Sequence, residues 1–483
     1  MIYIEIVGLL ILVIIGICVY RDMTIRSPFD IEGKHFSDIK VDQERIVKKL
    51  QKAIRLNTVT AKDPELLNHE VYDEYLEMLE ESFPRVFKEC SKHIVNRHSI
   101  VLHYELANSK SKPILLTSHI DVVPIEEGTE NDWTHPAFDA TIADGYLWGR
   151  GTLDTKTTGI SALEALETIL EKGEKPSRPI VIALGHDEEV GGKNGAISIC
   201  DYFVEQGMSF EFLMDEGGVI GTDVLDGVSK PMATIGIAEK GYVDLEIKVG
   251  GQGGHASTPP KHTAIGVMSQ VVCNLENKQM PLRLADTTKF FVSAIAPYMS
   301  GVNKLILSNI WLFKPVFLRA FSKTNIGNAL LRTTTAPTMA KGSDAANVLP
   351  QFATVTCNFR IGPGETTDDL KQHIKEVNKG IDIDIHPIRM EEPSIVSDLS
   401  GSGFNTIASI IKSMTKEAII VPYVMLAASD SKHYERVCHK IFRFAPMIVS
   451  KKDIAAIHNT DERIALSNIE YCGNFYIQLL MSE

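Results

Sequence analysis

The stretch ILLTSHIDVVP at residues 114–124 is an apolar run that ends in polar residues. This pattern predicts a buried strand whose C-terminal end carries His119 and Asp121. Open α/β sheets bind their ligands at that end of their strands. Asp121 follows His119 by two residues, so both side chains point to the same side of an extended chain. The Asp121 carboxylate can then hold the second imidazole nitrogen of His119.

Two later stretches repeat this pattern of an apolar strand followed by acids and glycines. RPIVIALGHDEEVGG at residues 178–192 carries Glu188 and Glu189, and FEFLMDEGG at residues 210–218 carries Asp215. Neighbouring carboxylates point in different directions, so one can bind a metal ion while the other faces a substrate. Three strand ends that each deliver Asp, Glu or His indicate one shared site.

Two further stretches complete the predicted site. LWGRGTLDTK at residues 147–156 places Asp154 where a strand-like stretch gives way to a predicted helix, and IAAIHNTDERI at residues 454–464 carries His458. Carboxylate oxygen and imidazole nitrogen together suit zinc or a similar divalent ion. One carboxylate beyond the ligands can serve as a general base. The sequence predicts a two-metal site from six residues: His119, Asp154, Glu188, Glu189, Asp215 and His458.

Each motif also has a plain structural interpretation. An HxD pair is often a surface feature or a satisfied turn, two adjacent glutamates are often a solvated face, and DEGG is often a turn. A single histidine means little in a chain that has 15. The combination favours a site, because every acid follows an apolar strand and lies beside glycine or a turn.

The motifs together resemble the co-catalytic zinc metallopeptidases, a family that includes aminoacylase, carboxypeptidase S, succinyl-diaminopimelate desuccinylase and the glutamate carboxypeptidases. The resemblance covers residues 45–483. GHDEEVGG at residues 185–192 and GGHASTPP at residues 253–260 are most similar to the branch of carboxypeptidase S and the N-fatty-acyl-amino-acid synthase/hydrolases.

This resemblance implies metal-dependent hydrolysis of an amide bond in a peptide or an N-acyl amino acid that bears a free carboxylate. It implies two Zn²⁺ ions per subunit, with Co²⁺ or Mn²⁺ as alternatives. Two other functions stay open. One is an N-fatty-acyl-amino-acid synthase/hydrolase with the same chemistry, and the other is a catalytically inactive scaffold or binding protein.

The resemblance also implies the metal ligands. Asp154 would bridge the two ions. His119 and Asp215 would complete the coordination of one ion, and Glu189 and His458 that of the other. The peptide bond after Asp154 is often cis in the family.

The remaining roles follow from the same resemblance. Glu188 would be the general base. His255, in GGHASTPP, would support the oxyanion, reaching the site from the partner subunit of a homodimer. Asn347 and Arg360 would lie near the substrate carboxylate, although Arg360 also fits a surface salt bridge. Thr155 departs from the acid that relatives often carry after the bridging aspartate.

The pattern changes after Asp215 and predicts a second domain. KGYVDLEIKVGG at residues 240–251 alternates apolar and polar residues as a half-buried strand does, and QFATVTCNFRIG at residues 351–362 is a further strand. We therefore expect an α/β, zinc-peptidase-like catalytic domain with a mixed sheet between helices, at residues 45–239 and 394–483. An α+β lid/dimerisation domain at residues 240–393 is inserted in it.

The N-terminal segment differs in composition from the rest of the chain. Residues 2–20 are apolar apart from Glu5 and are long enough to span a bilayer. A cleaved signal peptide is the alternative, but no basic residue precedes the run and CVYRDM is a poor cleavage site. We expect a transmembrane anchor at residues 1–20 and a polar tether at residues 21–44. Arg21 and Arg26 favour a cytoplasmic catalytic domain, whereas the relatives act in a lumen or outside the cell, so the side stays open.

Length and composition limit the number of domains and the classes of partner. A chain of 483 residues suits two domains, and a formal net charge of −13 argues against a nucleic-acid partner. Seven dispersed cysteines without a CxxC motif predict buried thiols.

Residues 290–321 are rich in large apolar residues. They fit additional core, a dimer interface, a wall for a fatty acyl chain or a patch on the membrane.

Overall fold

The computed structural model describes residues 2–482. The helices are α1 (Ile2–Thr24), α2 (Gln43–Arg55), α3 (His69–Ser82), α4 (Pro84–Glu89), α5 (Lys156–Glu171), α6 (Ala196–Glu205), α7 (Ala264–Asn277), α8 (Asp286–Ile295), α9 (Gly301–Ser308), α10 (Ile310–Phe321), α11 (Asn325–Leu331), α12 (Thr367–Val377), α13 (Ser402–Met414), α14 (Lys451–Ile454) and α15 (Leu466–Leu480).

The strands are β1 (Ser91–Val95), β2 (Ser99–Tyr104), β3 (Ile114–His119), β4 (Thr141–Ala143), β5 (Tyr146–Trp148), β6 (Ile180–Gly185), β7 (Leu213–Thr222), β8 (Met232–Glu239), β9 (Gly241–Gly250), β10 (Gly254–His255), β11 (Thr334–Lys341), β12 (Val348–Leu349), β13 (Phe352–Ile361), β14 (Asp384–Glu391), β15 (Ile419–Met425), β16 (Ile441–Ser450) and β17 (Arg463–Ala465).

The main sheet has eight strands in the order β1-β2-β6-β3-β7-β16-β8-β15. At its centre β3 runs parallel to both β6 and β7, and His119 lies opposite Gly185. The outer pairs β1–β2 and β2–β6 are antiparallel. The predicted α/β fold with a mixed sheet is confirmed.

Helices cover both faces of this sheet. Every residue of β3 and β6 is buried, which is why both strands appear in the sequence as unbroken apolar runs. The large core on one face includes apolar residues of α2, α5, α13 and α15. A smaller core on the other face includes α6. The site-bearing ends of β3 and β6 are therefore fixed from both sides.

A second sheet has four strands in the order β11-β13-β9-β14. Strand β9 alternates buried and partly exposed residues as its sequence predicts, and α7 and α12 pack on the buried face. The sheet extends from Gly241 to Glu391. Lys240 immediately precedes its strand β9. The Nζ of Lys240 donates hydrogen bonds to the backbone carbonyls of Ala329 and Arg332, at 2.9 and 2.7 Å.

Helix α1 is the one helix of the described chain that is long and apolar enough to cross a membrane, and it extends four residues beyond the predicted anchor. A signal sequence would have the same features. The segment that follows, predicted as a tether, lies along the main core, because Phe29 and Val41 are buried there. Of the seven cysteines, Cys273 is exposed and the other six are buried, so the expectation of buried thiols was wrong for Cys273.

Residues 290–321 form the end of α8, a short 3-10 turn, and helices α9 and α10. Val292 and Phe317 are buried in a small core with Leu331 of α11. This part of the segment is additional helical core, one of the four interpretations of its sequence.

Candidate metal centre

Five of the six residues predicted for the two-metal site meet at the C-terminal edge of the central strands. His119 ends β3, and Glu188 and Glu189 form the short helical turn that follows β6. Asp154 lies in the loop before α5, and His458 lies in the loop after α14. Parallel neighbouring strands end at the same edge of a sheet, so the fold brings distant sequence segments together.

The two oxygens of Asp154 face two different imidazoles. Its Oδ1 is 3.1 Å from His119 Nε2, and its Oδ2 is 2.9 Å from His458 Nε2. Glu189 Oε1 is 3.2 Å from the same nitrogen of His458. Glu216 Oε1 is 3.2 Å from His119 Nε2. Asp154 thus lies between two clusters of donor atoms, each completed by one imidazole and one glutamate.

Glu216, and not Asp215, lies beside His119. The two acids are neighbours in β7 and therefore point to opposite faces of the sheet. The Asp215 side chain is buried and lies near Asp430, and its Oδ2 has no hydrogen-bond partner among the described residues. The motif FLMDEGG contains both acids, and we expected the first to reach the cluster. The second one does.

Asp121 connects His119 to the acidic pair. Its backbone carbonyl is 2.9 Å from His119 Nδ1, while its carboxylate Oδ1 is 3.4 Å from that nitrogen. The two carboxylate oxygens accept hydrogen bonds from the backbone N–H groups of Glu188 and Glu189, each at 3.2 Å. The side chain expected to orient the imidazole also fixes the turn that carries both glutamates.

A buried carboxylate that we did not predict organises the Asp154 loop. Glu462 accepts hydrogen bonds from Arg150 Nη1 at 2.6 Å and from the backbone N–H groups of Gly151 and Leu153 at 3.0 and 2.8 Å. It lies four residues after His458, so it joins the segment of His458 to the loop that carries Asp154. The peptide bond between Asp154 and Thr155 is cis.

The electrostatics of the cluster favour a bound cation. Burial, with the nearby Asp154 charge, raises the pKa of Glu216 to about 8, and burial raises the pKa of Glu188 well above its usual range. The carboxylates of Asp154 and Glu189 raise the pKa of His458 to about 10. Among the described residues no donor is aligned to hydrogen-bond with Glu189 Oε1. Buried carboxylates this close together are stable when positive charge is shared among them.

The donor atoms fit a divalent metal centre. One set consists of His119, Asp154 and Glu216, and a second consists of Asp154, Glu189 and His458. Within each set the donor atoms lie within 4.8 Å of one another. Imidazole nitrogen with carboxylate oxygen is a ligand set that zinc accepts readily.

A cavity of about 660 Å³ opens in front of the cluster. Asp154, Glu188, Glu189, Glu216 and His458 line one side, and residues of the second sheet line the other. Arg360 of β13 and Arg389 of β14 flank Tyr242 of β9, with guanidinium carbons 4.3 and 4.5 Å from its ring centre. Arg389 was not predicted. The guanidinium of Arg389 would be 3.6 Å from a Cβ at Gly191, so it reaches the turn that carries the glutamates.

His255 and Asn347 lie elsewhere. Both are exposed: His255 of β10 pairs with Val348 of β12, and Asn347 immediately precedes β12. His255 Nδ1 is 2.7 Å from the Ser257 hydroxyl. The backbone N–H of Ala256 donates to the Asn347 carbonyl at 3.0 Å. Within residues 2–482, neither side chain lines the cavity in front of the cluster, nor does any residue of the 290–321 segment.

Curated proteins of similar sequence include a probable carboxypeptidase S-like protein from Dictyostelium discoideum. It is 37% identical over 462 residues, which cover 94% of this chain and 88% of that protein. The N-fatty-acyl-amino acid synthase/hydrolase PM20D1 from Xenopus tropicalis is 33% identical, with 92% and 86% of the two chains covered.

Among solved structures, an M20 family metallo-carboxypeptidase from Sulfolobus solfataricus matches with a TM-score of 0.65 at 16% identity. The match covers 90% of this chain and 98% of that one. At this identity the match concerns the fold. The model of peptidase family M20/M25/M40 matches residues 115–482, a range that contains the whole cluster from His119 to His458. The chain therefore belongs to peptidase family M20/M25/M40.

Proposed function

We propose that the protein is a dizinc amidohydrolase that cleaves the amide bond of a peptide or an N-acyl amino acid with a free carboxylate. The observation that carries this proposal is the placement of Asp154, whose two oxygens face His119 and His458 at 3.1 and 2.9 Å. His119, Asp154 and Glu216 would hold one ion. Asp154, Glu189 and His458 would hold the other.

Bound divalent cations polarise an amide carbonyl and lower the pKa of water toward about 7. Glu188 belongs to neither ligand set in our assignment and lines the cavity, so its carboxylate is free to take a proton from water. Asp121 holds the backbone of Glu188 and thereby its position. After the water has added to the carbonyl, Glu188 delivers the proton to the leaving nitrogen.

Arg360 and Arg389 would bind the free carboxylate of the substrate. Both line the cavity across from the cluster, and a guanidinium offers paired donors that match a carboxylate. Burial lowers the pKa of Arg360, but a guanidinium stays charged at neutral pH. The two arginines favour substrates with a negative charge close to the scissile bond.

His255 would support the oxyanion from the partner subunit of a homodimer. It is exposed on a ribbon of the inserted unit and is bonded to Ser257 of its own turn, which leaves its Nε2 free to face another chain. The inserted unit at residues 240–393 would then act as lid and dimerisation domain. Asn347, on the same ribbon, would accompany His255 into the partner's site.

Helix α1 would anchor the enzyme in a membrane. Most of its side chains are exposed and apolar, which water disfavours and a bilayer accepts. The curated relatives leave two substrate classes, peptides and N-fatty-acyl amino acids. A screen of dipeptides against N-acyl amino acids of increasing chain length separates them by kcat/KM.

The test of the proposed mechanism is Glu188→Gln. The variant keeps the metal ligands and loses the proton acceptor, so we expect two zinc ions per subunit and a fall in kcat of about 10²–10⁴-fold. Elemental analysis and amide hydrolysis measure the two quantities. Glu205→Gln, on the exposed face of α6, is the control and should match the unmodified enzyme. A Glu188→Gln enzyme with full activity excludes the proposed mechanism.

A further inference from the structure

The last turns of α1 are hydrogen-bonded to the junction between α9 and α10. Asn309 Nδ2 donates to the backbone carbonyl of Cys18 at 3.0 Å, and Arg21 Nε donates to the carbonyl of Ser308 at 3.2 Å. Cys18 is buried in this contact, whereas most of α1 is exposed. The helix is thus docked on the α9–α10 junction at its C-terminal end.

This contact fixes the depth of the junction relative to a bilayer. Cys18 belongs to the apolar run, and Arg21 is the first basic residue after it. At a rise of 1.5 Å per residue the two lie about 4.5 Å apart along the helix axis. If α1 spans a membrane, the junction sits where the apolar layer ends and the headgroups begin.

The helices on either side of the junction expose apolar side chains. Val302 of α9 is 70% exposed, and Trp311, Leu312 and Val316 of α10 are 52%, 40% and 51% exposed. Phe317 of α10 is buried in the small core with Val292, so α10 has one face on the protein and another without a protein partner among the described residues. Tryptophan beside aliphatic residues is typical of helices at a membrane interface.

The charge of this region complements anionic lipid headgroups. Between Asp286 and Asp344 the sequence contains no Asp or Glu, although the chain as a whole has a formal net charge of −13. Helices α9–α11 and the turn between α10 and α11 carry four basic residues: Lys304, Lys314, Arg319 and Lys323. Basic residues beside a membrane helix are attracted to the negative leaflet surface.

We infer that Val302, Trp311, Leu312 and Val316 form a membrane-contact surface that rests on an anionic lipid bilayer beside α1. The inference depends on the proposed anchoring by α1. It adds that α1 is not the only attachment of the catalytic domain to the membrane. Two attachments, α1 and the membrane-contact surface, hold the protein in one orientation to the lipid plane.

The test uses the full-length protein in nanodiscs that contain phosphatidylserine and a lipid spin-labelled near its headgroup. The chain has three tryptophans, of which Trp133 and Trp148 are buried and Trp311 is exposed. We expect the spin label to quench part of the tryptophan emission, and we expect Trp311→Phe to lose that quenched component. Val316→Glu should weaken the quenching, whereas Ile388→Glu, at a 60% exposed position on β14, should not.

Equal quenching in the unmodified protein and in Trp311→Phe overturns the inference. Protection of Trp311 from both the spin-labelled lipid and aqueous acrylamide also overturns it, because a second copy of the chain would then cover the surface. Extraction of native membranes with carbonate tests the anchor separately. A chain that resists extraction while Trp311 stays unquenched retains its anchor and lacks the membrane-contact surface. A chain that is released has no anchor, and the inference fails with it.

Discussion

Two histidines with proposed catalytic roles, His119 and His255, are held in opposite ways. His119 is buried at the end of a central strand, and carboxylates on three other segments surround it. His255 is exposed on a two-residue strand and is bonded within its own turn. The folding of one chain fixes the first and leaves the second without a catalytic neighbour. With the proposed roles, a complete site would combine the metal ligands of one chain with His255 of a second chain.

The largest effect is expected where one residue serves both metal sets. Asp154→Ala would remove a proposed ligand from each, so we expect elemental analysis to find almost no zinc. The loss of activity should exceed the roughly 10²–10⁴-fold expected for Glu188→Gln. Asp139→Ala, at an exposed position near the same loop, is the control. An Asp154→Ala enzyme that retains both ions would show that Asp154 is not the bridge.

Next in size is the comparison of Glu216 with its neighbour Asp215. Glu216→Ala should lose one of the two proposed ions and most activity, because Glu216, and not Asp215, lies beside His119 Nε2. Asp215→Asn keeps a side chain of the same shape outside the ligand set. It should weaken metal affinity by at most about 10–100-fold, as outer partners of metal ligands do. Zinc titration measures the loss of affinity in each variant. A larger loss for Asp215→Asn than for Glu216→Ala would indicate that Asp215 is the ligand.

His255→Ala should reduce kcat by about 10²–10³-fold, as expected for loss of one oxyanion donor. If His255 acts across a dimer, co-expression of His255→Ala with Glu188→Gln should restore activity. One site of each mixed dimer then combines an intact Glu188 with an intact His255. Co-expression of Asp154→Ala with Glu188→Gln is the matched control. It should restore nothing, because each chain of the mixed dimer then carries a defect in its own metal site. If the first pair does not recover activity, His255 does not act in the site of the partner chain.

The smallest effects are expected at the arginines of the second sheet. Arg389→Ala or Arg360→Ala would remove the proposed charged hydrogen bonds to the substrate carboxylate, each contributing about 1.5–3 kcal/mol. We expect KM to rise by about 10–100-fold for substrates with a free carboxylate and to change little for their methyl esters. Arg436→Ala, which loses only a surface ion pair with Asp201, is the control. Equal effects on acids and esters would assign the arginines a structural role.

The parts of the fold that could be predicted are those with local patterns. Strands β3 and β6 are buried on both faces and appear as continuous apolar runs that end at His119 and at the Glu188–Glu189 pair. Strand β9 is half-buried and alternates. Each pattern follows from the residues of one segment, so it could be interpreted without knowledge of the neighbours.

The site residues that the sequence did not reveal are placed there by contacts between distant segments. Strand β7 has protein on both faces, so its sequence does not indicate whether Asp215 or Glu216 faces His119. Arg389 reaches the cavity because β14 pairs with β9 beside Tyr242. Glu462 is buried under the Asp154 loop from a segment some 300 residues away, as its bonds to Arg150 and Gly151 require. The DER motif that contains Glu462 was the only local signal.

The side chain of Lys240 limits how the two sheets can move. Lys240 stands where the chain crosses from β8 to β9, but both acceptors of its ammonium group belong to α11 and the residues just after it. A rotation of the second sheet about this crossover must carry α11 along or leave a buried ammonium without acceptors. The latter costs about 1–3 kcal/mol or more. A movement of the second sheet would therefore be coupled to α11, whose Leu331 packs with Phe317 of α10.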